Sequence, residues 1–502
     1  MPWHGPSPYR MKNQIQLIAY VDRMGCKKIN DLHHLLQNEL KGLFGGVHLL
    51  PFYYPIDGED AGFDPIDHTL IDPRLGQWED LKALAGDYEV MADLIVNHMS
   101  AKSKEFQDFL EKGESSPYSS LFLGFKDVFP KGATEDDLLR IYRPRPGFPF
   151  TKMKGKDGSE HLIWTTFTTN QVDIDVLNPS GERYLEGILD KFEASGVKMI
   201  RLDAAGYAIK KAGTSCFMIP ETFQFIDGLT QKAKERGITV LVEIHSFYKT
   251  QIEIAKKVDY VYDFALPVLV LDTLFNQDAT HLKHWLDIGP KNAISVLDTH
   301  DGIGIVDVAS ENGVPGLIAD DVLDRIVDRM HANSGGTSLK ATGAAASNLD
   351  LYQVNCTYFE ALGKNELDYF LARAIQFFVP GIPQVYYVGL FAGENDMNLL
   401  EQTNVGRNIN RHFFTKAEIT ETLERPFIQT FTKLMRLRNE HPAFNGSFEV
   451  LPTAKDKLQL QWELHGEGIL LDIDLSQREF SIKGTKDGDK EHVYFQSDKP
   501  WG

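Results

Sequence analysis

Three apolar stretches of this 502-residue chain stop at carboxylates. VKMIRLDAAGY (197–207) carries Arg201 and Asp203 two residues apart, on one side of an extended strand. TVLVEIH (239–245) delivers Glu243 between Val242 and Ile244, and AISVLDTHD (293–301) delivers Asp301 after His300. A carboxylate at the end of a buried strand is costly unless it is paired or used. A lone Arg–Asp pair reads first as structural. Three converging carboxylates are what glycoside chemistry needs: a nucleophile, a general acid with a raised pKa, and a third group to hold hydroxyls or stabilise positive charge. Beside Arg201, Asp203 is expected to stay ionised and to be the better nucleophile. The apolar neighbours of Glu243 favour its protonated form, which suits an acid.

Strand-like and helix-like patterns alternate for about 440 residues. Strands are expected at 16–20, 46–52, 90–97, 197–203, 239–243, 260–264, 293–297 and 384–388. Helices are expected at 29–41, from the Asn178-Pro179-Ser180 start through Phe192, and at 220–234, 365–379 and 425–438. Eight such units predict an α/β fold, a (β/α)8 barrel of the TIM type. The carboxylates at three strand ends then share its C-terminal face. The barrel is expected over residues 11–97, 178–302 and 365–443. Two gaps are too long for ordinary barrel loops. They define loop-rich insertions at 98–177, after strand 3, and 303–364, after strand 7. The first holds YRPRPGFPF (142–150), whose prolines favour extended backbone. The second holds ATGAAASNLDLYQ (341–353), small-residue rich and expected to move. From 444 to 502 short alternating runs predict a C-terminal antiparallel β domain.

The formal charge is −19, with 52 basic and 71 acidic residues. That balance argues against nucleic acid and against an anionic membrane surface. Cys26, Cys216 and Cys356 are odd in number and lack metal-site spacing, so a cytoplasmic location is expected. MPWHGPSPYR reads as a lead-in without the apolar segment of a signal peptide, with Met11 as the natural start. The apolar run at 264–275 is broken by Asp272, and none approaches membrane-spanning length. A Schiff-base lysine is not expected, since Lys198 lies at the start of its strand, away from the carboxylates.

DLIVNH (93–98), RLDAAGY (201–207), EIH (243–245) and THDG (299–302) match, in order, the four conserved regions of the α-amylase family of glycoside hydrolases. Within that family the chain resembles the sucrose phosphorylases. The flanking text is similar as well: LPFYYPIDGEDAGFDPIDH (50–68), IYRPRPGFPF (141–150), AGTSCF (212–217), VYDFALP (261–267), AAASNLDLYQVN (344–355), PQVYYVG (383–389) and GRNINRH (406–412). The resemblance runs from about Met11 to Pro442.

The resemblance implies reversible transfer of a glucosyl group from sucrose to phosphate by double displacement with net retention. It implies Asp203 as nucleophile, Glu243 as acid and then base, and Asp301 as transition-state stabiliser. His98 and His300 would hydrogen-bond glucose hydroxyls, and Arg201 would orient Asp203. Asp60 with Arg407 would close the blind end of the glucose pocket, lined by Phe63 and Tyr207; Arg411 lies in the same short loop as a rival to Arg407. Phe167, Gln171, His245, Asp350 and Gln353 would face the acceptor, and Arg145 and Tyr352 would bind phosphate. A chain at −19 needs a local cation to recruit an anion, and Arg145 can supply one. Arg143 and Arg145 otherwise read as solvated surface charges. Asn97 binds calcium in many amylases, but no companion acidic cluster stands out in the insertion that follows, so no metal is expected. No cofactor is implied; inorganic phosphate is a co-substrate. Relatives that use phosphorylated fructose, glycerol or glycerate, and hydrolases or transglucosidases, share the same carboxylates. The resemblance implies a monomer or a homodimer.

Overall fold

The computed structural model describes residues 11–144, 147–342, 353–486 and 490–498. Eight parallel strands close a barrel: β1 Gln16–Ala19, β2 Gly46–Leu49, β3 Glu89–Ile95, β4 Met199–Asp203, β5 Thr239–Val242, β6 Tyr260–Asp263, β7 Ala293–Ser295 and β8 Ile382–Tyr386. They follow one another around the barrel in chain order, β8 returning to β1. Continuous apolar runs such as Val240–Val242 and Leu94–Ile95 are buried between the barrel interior and the surrounding helices, as parallel strands require.

The helices start where the local chemistry dictates. Asn178 accepts the Ser180 N–H and Pro179 opens Pro179–Ala194, which stops before Gly196 at φ +78°. Ile29–Gln37 buries Ile29, Leu32, Leu35 and Leu36, and ends four residues earlier than its apolar pattern predicts. The last barrel strand is displaced from its expected position. β8 begins at Ile382, and Tyr387–Leu390 turns helical. Pro383 lies second in this strand, a position near the strand start where a proline is tolerated.

Both insertions carry secondary structure of their own. In the first, His98–Ser100 pairs with Gln171–Asp173, and Phe150–Lys154 forms a hairpin with Glu160–Trp164. Leu123, Phe129, Ile141 and Trp164 form a small core that also takes in Cys216 from the loop after β4. In the second, Ile303–Gly304 pairs with Gln353–Val354 beside helix Asp320–Asn333. The mobile loop expected at 341–353 lies mostly outside the described residues.

The C-terminal sheet has five antiparallel strands: β9 Ser447–Val450, β10 Lys457–Leu464, β11 Glu467–Asp474, β12 Glu479–Lys486 and β13 Lys490–Gln496. Leu458, Leu460, Ile469, Leu471 and Ile482 join the core of the barrel. The Trp462 indole N–H donates to Phe378 O at 2.7 Å and fastens the sheet to the helix before β8.

Candidate active site

Arg201 organises the site. It lies on β4 in register with Asp93 of β3, inside the barrel near its C-terminal end. Its Nη1 contacts Asp93 Oδ1 at 2.6 Å and Asp203 Oδ1 at 2.7 Å. Its Nη2 lies 3.8 Å from Glu243 Oε2 and 3.7 Å from Asp301 Oδ2. One buried guanidinium thus gathers all three carboxylates marked by the sequence. Asp203 ends β4, Glu243 follows β5 directly, and Asp301 lies in the turns after β7. Ala204 adopts φ +56°, strained for a residue with a Cβ. This turn ends the strand at Asp203 and brings Tyr207 back over the pocket.

Behind Arg201, His48 Nε2 lies 2.8 Å from Asp93 Oδ2, so Asp93 is held from both sides. Arg407 Nη1 contacts Asp301 Oδ1 at 2.8 Å. Arg411 is buried away from the pocket and donates to His300 O at 2.9 Å, so Arg407 is the arginine of that loop that reaches the site.

The pocket is also walled by Asp60, Phe63, His98 and Phe167. Phe63 stacks on His300 with centroids 4.9 Å apart, and Phe167 meets Tyr207 edge-on at 5.0 Å. His98 Nε2 lies 3.0 Å from Phe63 O, tying the strand His98–Ser100 to the Asp60–Phe63 turn. His245 Nε2 lies 3.1 Å from Gln353 Nε2 and 3.9 Å from Glu243 Oε1. His300 Nδ1 and Gln171 Oε1 are buried and have no partner among the described residues. A polyhydroxylated ligand would satisfy both. Arg145, Asp350 and Tyr352 lie outside the described residues.

Several pocket residues escaped the sequence reading. Tyr142 stacks on Phe217 at 4.5 Å, and Phe217 packs on Tyr207 at 4.7 Å, forming an aromatic wall contributed by two loops. Val306 comes from the second insertion. Only the aromatic character of IYRPRP and SCF could have flagged the wall.

Among the described residues the insertion supplies a single acidic partner to Asn97. Asp173 Oδ1 accepts from the Asn97 amide at 3.2 Å. Lys210 Nζ sits among Asn97 Oδ1 at 2.6 Å, Tyr207 O at 2.6 Å and Asp173 Oδ2 at 2.7 Å. Its ammonium is the positive charge in an all-oxygen cage. Among the described residues no group of three or more His, Cys, Asp or Glu is placed to hold a metal.

Electrostatics separates the carboxylates. Burial pushes Asp203 up to about 8; Arg201 opposes this, while Glu243, Asp93 and Asp301 add to it. Arg201 favours the ionised form, as its place beside Asp203 in the sequence implies, and burial acts against it. Burial also acts against Asp301, but the Arg407 and Arg201 guanidiniums outweigh it and hold Asp301 well below the carboxylate range. Burial pushes His300 down to about 3, so it is neutral. The cluster thus sets Asp301, held in its ionised form by its cationic neighbours, beside Asp203, which burial pulls toward its protonated form.

The α-amylase catalytic-domain family model matches residues 39–296. The chain is 59% identical over 476 residues to a sucrose phosphorylase of Agrobacterium vitis, covering 95% of this chain and 98% of the relative. The chain belongs to the α-amylase family. A sucrose phosphorylase of Bifidobacterium adolescentis is 53% identical over 460 residues, 91% of each chain. The crystal structure of sucrose 6F-phosphate phosphorylase from Thermoanaerobacter thermosaccharolyticum superposes with a TM-score of 0.91 at 37% identity, covering 98% of this chain and 99% of that one. Within the α-amylase family, the chain stands in the sucrose-phosphorylase branch and is a phosphorylase of the hexosyltransferase type that acts on small molecules. Among the described residues no helix is long and apolar enough to cross a membrane.

Proposed function

We propose that this enzyme catalyses the reversible phosphorolysis of sucrose to α-D-glucose 1-phosphate and D-fructose. The observation that carries the reading is the gathering of Asp203, Glu243 and Asp301 around Arg201 in a pocket. The extent of identity to sucrose phosphorylases supports the choice of substrate.

In this reading Asp203 attacks the anomeric carbon while the bond to the fructosyl oxygen breaks, and Glu243 gives that oxygen its proton. The product is a β-glucosyl ester on Asp203. Fructose leaves and phosphate enters. A phosphate oxygen attacks the same carbon, the ester breaks, and Glu243 takes the phosphate proton. Two inversions give net retention. The cycle needs Asp203 as the carboxylate that attacks and Glu243 as the acid that protonates the leaving oxygen. Asp301, ionised throughout, faces the positive charge that develops on the sugar. Asp60 and Arg407 close the glucose end, which restricts the donor to one terminal glucosyl unit. Arg145 and Tyr352 bind phosphate, and Asp350 faces the fructose. No cofactor or metal enters the cycle. Three buried, unpaired cysteines support a reducing, cytoplasmic setting.

The test is a product assay on purified enzyme with sucrose, with and without inorganic phosphate. Phosphate-dependent glucose 1-phosphate with matching fructose supports the reading. Free glucose irrespective of phosphate makes the enzyme a hydrolase. Absence of both products, together with transfer from glucose 1-phosphate to fructose 6-phosphate, glycerol or glycerate, assigns a different acceptor.

A further inference from the structure

Asp307 belongs to none of the motifs above, yet it is fully buried and makes three contacts toward the site. It lies just after strand Ile303–Gly304 in the second insertion. Its Oδ2 lies 2.9 Å from His245 Nδ1, and its Oδ1 accepts the Ser246 N–H at 3.2 Å and the Gln251 amide at 3.5 Å. The loop after β5 is thereby pinned to the insertion. The imidazole of His245 has little freedom. Phe264 stacks on one face with centroids 3.8 Å apart, and Gly304 presses close from the insertion. A Cβ at Gly304 would come within 2.9 Å of His245 Cε1 and 2.8 Å of Asp307 Oδ2.

A carboxylate on Nδ1 fixes the tautomer: Nδ1 carries hydrogen, and Nε2 is the atom offered to the pocket. The charged groups facing the ring are Asp307 from the insertion, Glu243 on its own loop and Asp301 from the turns after β7, with Arg407 beyond the Gln353 amide at 3.5 Å. Burial acts against a charged ring, but Asp307, Glu243 and Asp301 outweigh it and raise His245 above the ordinary histidine value.

We propose that Asp307 is a positioning residue for phosphate: it holds His245 so that Nε2, protonated, hydrogen-bonds a phosphate oxygen beside Glu243. The proton comes from solvent or from the dihydrogen form of phosphate, and Gln353 yields its place at Nε2 to the anion. This gives the acceptor site a cation that fructose does not require, next to the base that must receive the phosphate proton. The inference rests on the phosphorolysis reading.

The test is Asp307→Asn, which keeps the size and one acceptor oxygen but offers His245 an amide. The expected result is a KM for phosphate raised roughly 10- to 100-fold, the loss of one charge-assisted hydrogen bond. The KM for sucrose should change far less. The basic limb of kcat/KM for phosphate should move to lower pH. Equal loss toward sucrose and phosphate, or an unmoved pH limb, overturns the proposal and leaves Asp307 a structural residue. Should Asp307→Asn fold poorly, His245→Gln serves. It must weaken phosphate selectively and abolish that limb, and an unselective loss overturns the proposal equally. Wild-type enzyme that makes no glucose 1-phosphate overturns the phosphorolysis reading itself, a result distinct from either variant outcome.

Discussion

Replacing Asp203 by Asn should abolish turnover and stabilise the protein. The two effects have one cause. Burial raises Asp203 from an ordinary value near 4 to about 8. The folded chain therefore keeps this proton while the unfolded chain gives it up. A group raised in this way contributes its full stability below its unfolded pKa and loses it as pH rises through the folded value. The loss is about 1.4 kcal/mol per pH unit between about pH 4 and 8. An asparagine at this position is neutral throughout and escapes it. Between pH 5 and 7.5 the variant should gain about 3 kcal/mol relative to wild type. For a chain of this length that is a few degrees in Tm, on the order of 1–2 °C per kcal/mol. Side-by-side thermal melts at half-unit pH steps read the difference, and turnover should fall by several orders of magnitude at every pH. A Tm difference that stays flat between pH 5 and 7.5 would refute the reasoning, since burial of a titrating carboxyl would then not be what distinguishes Asp203.

The opposite sign is expected at Asp301. Its folded pKa is depressed, so its contribution is present above the ordinary aspartate value and is lost on acidification. Asp301→Asn should lower Tm at pH 7 by a deficit that holds down to about pH 4 and closes only below it, while turnover falls at least about a thousandfold, as for other charge-stabilising groups aimed at a transition state; melts from pH 7 to about pH 3 check it. Lys210→Met should cost about 3–5 kcal/mol, because it leaves Asp173 buried without its cation, and it should raise the KM for sucrose through Tyr207; denaturant melts and kinetics check both. Trp462→Phe should cost about 1–3 kcal/mol by leaving Phe378 O without its donor. Proteolysis should then cut first in the C-terminal sheet.

The catalytic face was legible because its parts are local. Each carboxylate follows an apolar run, and a strand end is a position that a period-two pattern marks well. The barrel followed from the alternation of such runs with helical spacing, and β8 lies two residues before its expected span. What stayed hidden depends on long-range closure. Asp307 and His245 are 62 residues apart and meet only because the second insertion folds back over the strand ends. Lys210 and Asp173 belong to none of the sequence motifs and meet only where the first insertion packs on the loop after β4. The upward pull of burial on Asp203 also required the structure. RLD displays one cation beside one carboxylate, whereas the folded site sets four carboxylates around that same guanidinium.

The central claim is retaining, phosphate-dependent glucosyl transfer at Asp203 and Glu243. Proton NMR of sucrose and phosphate with the enzyme, recorded before anomers equilibrate, tests it most directly. The account predicts that α-glucose 1-phosphate appears in step with fructose, and only when phosphate is present. A β-configured first product, or glucose released at the same rate without phosphate, would contradict it.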